Sequence, residues 1–196
     1  MNEWKKYLGA ALLSAACAQA WAVPTLSITP TPASATPGSS LGVDVMVSDI
    51  ADLYIYQFSL AFNASVLQAG TVSLGNFLEG SGLPTLGDPG MVDNVAGTIS
   101  YTFNTLLGPE AGVAGSGLLL HIDFDTLAAG SSALNFSDLL FLDSRGNDIA
   151  VNAVNGSVTV AAAPVDVPEP ATWMLVGLGA VAAATLRRRG LPAARA

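Results

Sequence analysis

From Leu41 to Ser48 apolar and polar side chains alternate without a break. Leu41, Val43, Val45 and Val47 fall on one face, and Asp44, Met46 and Ser48 on the other. A period of two predicts a half-buried strand. The same period runs from Leu53 to Asn63, where Tyr54, Tyr56, Phe58, Leu60 and Phe62 share a face opposite Gln57, Ser59 and Asn63. It recurs after Gly97, with Ile99, Tyr101 and Phe103 read as inward against Ser100, Thr102 and Asn104. Leu118, Leu120, Ile122 and Phe124 alternate with His121, Asp123 and Asp125. Shorter segments are read at Leu26 and Ile28, Thr71 to Leu74, Leu134 and Phe136, Leu140 and Leu142, and Val158 and Val160. Between them lie Pro30 to Ser40, Glu79 to Pro89, Leu107 to Gly117 and Asp143 to Asp148, whose Gly, Pro, Ser and Asp content reads as loops and turns. A turn of helix is predicted after Asn63. Short strands, frequent turns and no long amphipathic helix predict an all-β fold, an antiparallel β-sandwich with jelly-roll or Greek-key order.

Two apolar stretches break this pattern, one at each end. Leu8 to Ala16 follows Lys5 and Lys6 and is too short to span a membrane; Ala20-Trp21-Ala22 supplies the small-x-small pattern of a signal peptidase site. The expectation is a signal peptide over residues 1–22 and a mature chain starting at Val23. Cys17 raises lipoprotein processing as an alternative, but Ser14 stands where such signals usually carry Leu. If Cys17 leaves with the signal, the exported body has no cysteine, hence no disulfide or thiolate site. At the other end, Ala171 to Leu186 carries no charge and would cover about 24 Å as a helix, short for a hydrocarbon core of about 30 Å. Arg187, Arg188 and Arg189 follow as a cytoplasmic topology signal, which places everything before the span outside. Pro168 and Pro170 remove backbone donors and keep Pro168-Glu169-Pro170 extended ahead of the helix.

This three-part end, Pro168-Glu169-Pro170, then Trp173 to Leu186, then the arginines, resembles the PEP-CTERM sorting signal of Gram-negative bacteria. The resemblance implies recognition and cleavage near the motif by an exosortase-type membrane enzyme. An ordinary single transmembrane anchor is the plainer alternative. Both readings put the body outside the cytoplasmic membrane; the sorting reading makes the chain a membrane-anchored precursor of a cell-surface or extracellular product, with residues 1–22 as signal, 23–163 as body and 164–196 as sorting segment.

Charge narrows the partners of the body. Arg145 is its one Lys or Arg, against twelve carboxylates from Asp44 to Asp148. Nucleic acid and anionic lipid are thereby disfavoured, because those affinities come from cations neutralising phosphates. The order of LYIYQFSLAFNASVLQAGTVSLGNFL (Leu53 to Leu78), GTISYTFNT (Gly97 to Thr105), GSGLLLHIDFDTLAAGSSALNFSD (Gly115 to Asp138) and DSRGNDI (Asp143 to Ile149) resembles the cohesin family over nearly the whole body. The chain departs from it at Asn63-Ala64, where cohesins commonly carry Asp-Pro. The resemblance implies a nine-stranded jelly-roll sandwich, related in architecture to carbohydrate-binding modules, that binds dockerins in cellulosomes. Dockerin contact surfaces vary, so it transfers no contact residue.

Candidate chemistry within the body is sparse. His121, the chain's only histidine, shares a strand face with Asp123 and Asp125 at i to i+2 separations of about 6.5–7 Å, a spacing open to a carboxylate pair of a glycosidase or a His/Asp metal pair. A solvated outer face is the simpler reading. Asp143, Asn147 and Asp148 put oxygen donors around a Gly turn, a weak calcium candidate in which Arg145 stands where a further ligand is needed; as a tight turn it needs no ion, and no cofactor is expected. Tyr54 and Tyr56 have the spacing of a sugar-stacking strip, though they run on into Phe58 and Phe62 as core residues would. Trp4, Trp21 and Trp173 all lie in the removable ends. The sum is a non-catalytic binding module, for an extracellular protein or, alternatively, a polysaccharide.

Overall fold

The computed structural model describes residues 23–162, together with helical positions 177–181 and 184. The chain divides into two compact units, Met1–Ala162 and Ala163–Ala196. The predicted signal peptide with Ala20 and Ala22, the motif Pro168-Glu169-Pro170 and the cluster Arg187 to Arg189 lie outside the described residues. Among the described residues no helix is long and apolar enough to cross a membrane.

The first unit is a two-sheet sandwich. Its strands are β1 (Thr25–Thr31), β2 (Ser34–Ala35), β3 (Ser40–Leu53), β4 (Ile55–Ala61), β5 (Leu67–Leu74), β6 (Thr85–Asp88), β7 (Met91–Asp93), β8 (Thr98–Leu106), β9 (Val113–Thr126), β10 (Gly130–Leu142), β11 (Asn152–Val154) and β12 (Gly156–Val160). One sheet has the order β11-β1-β3-β9-β5. The larger runs β2-β12-β10-β4-β8-β6, with β7 also on β8. Pairing is antiparallel except for β1 with β11 and β12 with β2, at the sheet margins. The strict alternation of β3 explains its place in the smaller sheet. Leu41, Val43, Val45 and Val47 are all buried, paired in register with Phe124, Ile122, Leu120 and Gly117 of β9. Phe62, just past β4, meets Phe124 edge-on at 5.1 Å, and the buried Tyr56 hydroxyl donates to the Leu119 carbonyl at 2.8 Å. Both contacts join the two sheets through one core.

The turn of helix expected after Asn63 is present: the N–H groups of Val66 and Leu67 both donate to the Asn63 carbonyl. The region read as loop over Glu79 to Pro89 instead holds a short 3-10 helix, Glu79–Ser81, and β6. Gly87 within β6 is needed for close approach, since a Cβ there would meet Leu74 at 2.6 Å and Asn104 at 2.8 Å.

Facing differs from expectation in three strands, each time at a bulge. In β8 Tyr101 adopts φ 57° and the pairing with β4 slips between Phe58 and Leu60. One extra residue reverses the faces of all that follow. Ile99 is inward as expected, but Tyr101 is exposed, while Thr102 and Asn104 are buried. Thr102 is satisfied by donating to the Pro89 carbonyl at 2.9 Å; the Asn104 amide makes no hydrogen bond among the described residues. In β10 Asp138 adopts φ 53° and the register slips between Ser137 and Leu140, so Phe141 turns inward and Leu140 outward. In β9 a third slip, opposite Val45 and Met46, buries Leu119 along with Leu120 and leaves Leu118 half-exposed.

β5 is the margin of the smaller sheet, and its open backbone is partly covered from the other sheet. The Asn94 side chain, in the turn after β7, accepts from the Ala69 N–H at 2.8 Å and donates to the Ala69 carbonyl at 2.9 Å. It pairs as a peptide group would. Asn94→Ala strands both groups of the buried Ala69, so we expect a loss of about 1–3 kcal/mol in stability, read by urea denaturation. A loss below about 0.3 kcal/mol would show that water replaces the amide without cost.

Candidate functional site

The two outer faces of the sandwich differ in chemistry. On the smaller sheet, register places Thr29, Asp44, His121 and Ser73 in one row across four strands, with Asp123 and Asp125 further along β9. His121 Nδ1 lies 2.6 Å from Asp44 and Nε2 lies 3.3 Å from Asp123. Asp125 accepts from the Ser40 hydroxyl at 2.7 Å. The hydrogen bond to Asp44 chiefly holds the imidazole above its ordinary pKa, against a smaller opposing effect of burial. These groups form a solvent-exposed ion-pair network on the outer face of the sheet.

The sign of the His121 effect sets a pH dependence. A folded pKa above 6.5 means that the native state binds the proton more tightly, so this contribution is complete below about pH 6.5 and is lost as pH rises through the folded value. With His121 and Asp44 each more than a third exposed, its size is that of a surface pair, about 0.2–1 kcal/mol. NMR titration of the His121 ring should give a midpoint above 6.5 that falls in Asp44→Asn. Equal midpoints in the two proteins would mean that the pair does not form in solution.

The outer face of the larger sheet is built differently. Cross-strand partners share a face, so Leu140, Gln57, Phe103 and Asp88 make one row, and Leu142, Ile55, Thr105 and Leu86 the next. The two bulges of β8 and β10 flank β4 at the level of Ser59, whose hydroxyl accepts from the Tyr101 N–H at 3.2 Å. They project Tyr101, 62% exposed, and Leu139 and Leu140 outward. Leu86 and Met91, 57% and 71% exposed, extend the apolar surface over β6 and β7. Positive φ at a non-glycine residue costs energy and persists where the surroundings hold it. Two such residues beside one strand present an aromatic ring and two leucines to solvent.

The tyrosine strip inferred from sequence does not form. Tyr56 is 1% exposed, stacked on Phe58 and Phe141, and burial pushes its hydroxyl pKa up, so it cannot stack on a sugar. Tyr54 is half-buried and its hydroxyl donates to the Gly108 carbonyl. Asp143 accepts from the N–H groups of Arg145 and Asn147 and from the Asn147 amide, each at 2.8 Å, and these donors hold its carboxyl below the usual range. A cation would have to displace them; Asp148 pairs across the turn with Leu142. Among the described residues no group of three or more His, Cys, Asp or Glu side chains is placed to hold a metal ion. Sequence reasoning missed Tyr101, Leu86 and Met91 as surface residues. The Gly-Asp-Pro-Gly run that hid β6 and β7 was the only available signal, as a turn between two short strands.

Residues 26–160 match the family model described as cohesin domain, and residues 166–189 match the PEP-CTERM protein-sorting motif. No curated protein matches the chain. Among solved structures, the second type II cohesin module of the adaptor scaffoldin ScaA of Acetivibrio cellulolyticus is 17% identical, with a TM-score of 0.61, covering 78% of this chain and 97% of that one. The non-cellulosomal cohesin of the hyperthermophilic archaeon Archaeoglobus fulgidus is 19% identical, with a TM-score of 0.56 and coverages of 74% and 94%. The sixth cohesin of scaffoldin B from Acetivibrio cellulolyticus, solved in complex with a Cel5 dockerin variant, is 18% identical, with a TM-score of 0.56 and coverages of 70% and 98%. At these identities the likeness establishes the fold.

Proposed function

The chain belongs to the cohesin family through residues 26–160, and from that premise we propose that it is an exported, exosortase-sorted surface or matrix protein whose sandwich holds an extracellular protein partner without catalysing a reaction. The observation that carries the binding role is the outer face of the larger sheet, where paired bulges raise Tyr101, Leu139 and Leu140 beside the exposed Leu86 and Met91. An aromatic ring amid aliphatic side chains is the composition of a protein-binding centre, and bulges re-aim side chains at such places. Dockerin binding by the scaffoldin B relative is in keeping with this reading. The smaller sheet presents carboxylates and one ion-paired histidine instead.

The sorting half of the proposal rests on the tail. Export through the signal is followed by arrest of the precursor at the apolar span, with Arg187 to Arg189 inside. Cleavage near Pro168-Glu169-Pro170 then frees the body for the cell surface or medium. The motif match over residues 166–189 supports this sequence of events.

The test is to immobilise the secreted protein and probe it in parallel with a glycan array and with the extracellular protein fraction of the producing cells. Capture of a defined protein that is lost on Tyr101→Ala is the expected result. Binding to glycans alone would replace the protein-partner reading with a polysaccharide one. Hydrolysis of a glycan that disappears in Asp123→Ala or Asp125→Ala would overturn the non-catalytic reading.

A further inference from the structure

One end of the sandwich carries an open cleft of about 550 Å³ lined by Val23, Pro24, Asp49, Asp52, Asp143 and Arg145, among others. Two of its three carboxylates are already occupied. Asp52 accepts from the Gly112 N–H at 2.6 Å and from the Ser144 hydroxyl at 2.8 Å, and Asp143 caps its own turn. Asp49 is different. Its backbone sits at φ 59°, pinned by the N–H donating to the Ser116 hydroxyl at 3.0 Å, and its carboxylate makes no hydrogen bond among the described residues. The register that pairs Thr25 with Ser48 brings the start of β1 alongside Asp49. The Asn152 N–H fixes Pro24 there by donating to its carbonyl at 2.7 Å, which leaves Val23 as the next residue out.

In the precursor the Val23 nitrogen is an uncharged amide. Hydrolysis of the Ala22–Val23 bond adds hydroxyl from water to the Ala22 carbonyl carbon and hydrogen to the Val23 nitrogen, leaving a carboxylate on the departing signal and an ammonium on the body. We propose that signal removal thereby creates a partner for Asp49, the α-ammonium of Val23 pairing with its carboxylate. Maturation then fastens the outer end of β1, where the precursor carries a continuing chain. The inference rests on the export reading above, specifically on cleavage after Ala22.

The groups facing the ammonium are Asp49 and Asp52 from β3 and Asp143 and Arg145 from the turn after β10, so negative charge prevails around it. The ordinary α-amino pKa is about 7.7–8.0. Intact mass of the secreted protein establishes its first residue, and NMR titration after reductive methylation with ¹³C-formaldehyde reads the amine. The expected result is Val23 first, with a pKa above that of the same methylated amine in the urea-unfolded chain. The difference should shrink in Asp49→Asn and in 1 M salt, where the Debye length is about 3 Å. Asn tolerates the left-handed backbone, so the variant removes charge while keeping the turn. A Val23 terminus with equal pKa in folded and unfolded protein, unmoved by Asp49→Asn, overturns the ion pair alone. A first residue other than Val23 overturns it together with the cleavage site.

Discussion

Replacing Pro168, Glu169 and Pro170 together by alanine is expected to leave nearly all of the protein as a membrane-retained precursor. Each proline disfavours helix by about 3 kcal/mol relative to alanine, and the residue before a proline is pushed toward extended backbone. Three alanines ahead of the apolar run Ala171 to Leu186 would allow helix through the motif itself. That removes both the extended segment and the Glu169 carboxylate a processing enzyme would grip. Cell fractionation with intact mass checks this: the wild-type product is expected to end near the motif, and the variant to keep Trp173. Unchanged release and an unchanged C-terminus in the variant would show that the motif is not what the enzyme reads. Glu169→Gln separates the two contributions, since it keeps the prolines and removes only the charge.

Tyr101→Ala should weaken capture of the protein partner by about 30-fold or more, the equivalent of a 2 kcal/mol hot spot. Stability should move by no more than about 0.5 kcal/mol, because the side chain is exposed and its backbone hydrogen bond to Ser59 survives. Titration calorimetry and urea denaturation on the same preparations separate the two effects. His121→Ala, on the opposite outer face, should leave affinity unchanged. If Tyr101→Ala instead cost the 3–5 kcal/mol of a deleted core aromatic while binding persisted, the ring would be packed inside and the binding face would lie elsewhere.

Tyr101 also marks the limit of what periodicity reveals. The face of β3 is legible because nothing interrupts its alternation between Leu41 and Val47, and the core follows it without exception. The existence of β8 is equally legible from Ile99 to Phe103. Its facing is not, because the bulge turns on a positive φ at tyrosine, which carries no compositional mark as glycine would. The same holds for Asp138 and for the outward turn of Leu140. β6 and β7 escape for another reason: strands of four and three residues, broken by Gly87 and Pro89, are too short for a period to emerge. Sequence pattern found the sandwich and its layers; the exposed surface that distinguishes one outer face from the other arises from the slips between strands.

An unpaired strand edge is a template for adding another chain's strand. The Asn94 amide occupies both backbone groups of Ala69 on the margin strand β5. The register slip between Ala69 and Val72 then breaks the regular spacing that an incoming strand would have to match. One side chain reaching across from the other sheet therefore does more than hold a turn. It closes the two outward backbone groups of Ala69 to the strand of another chain.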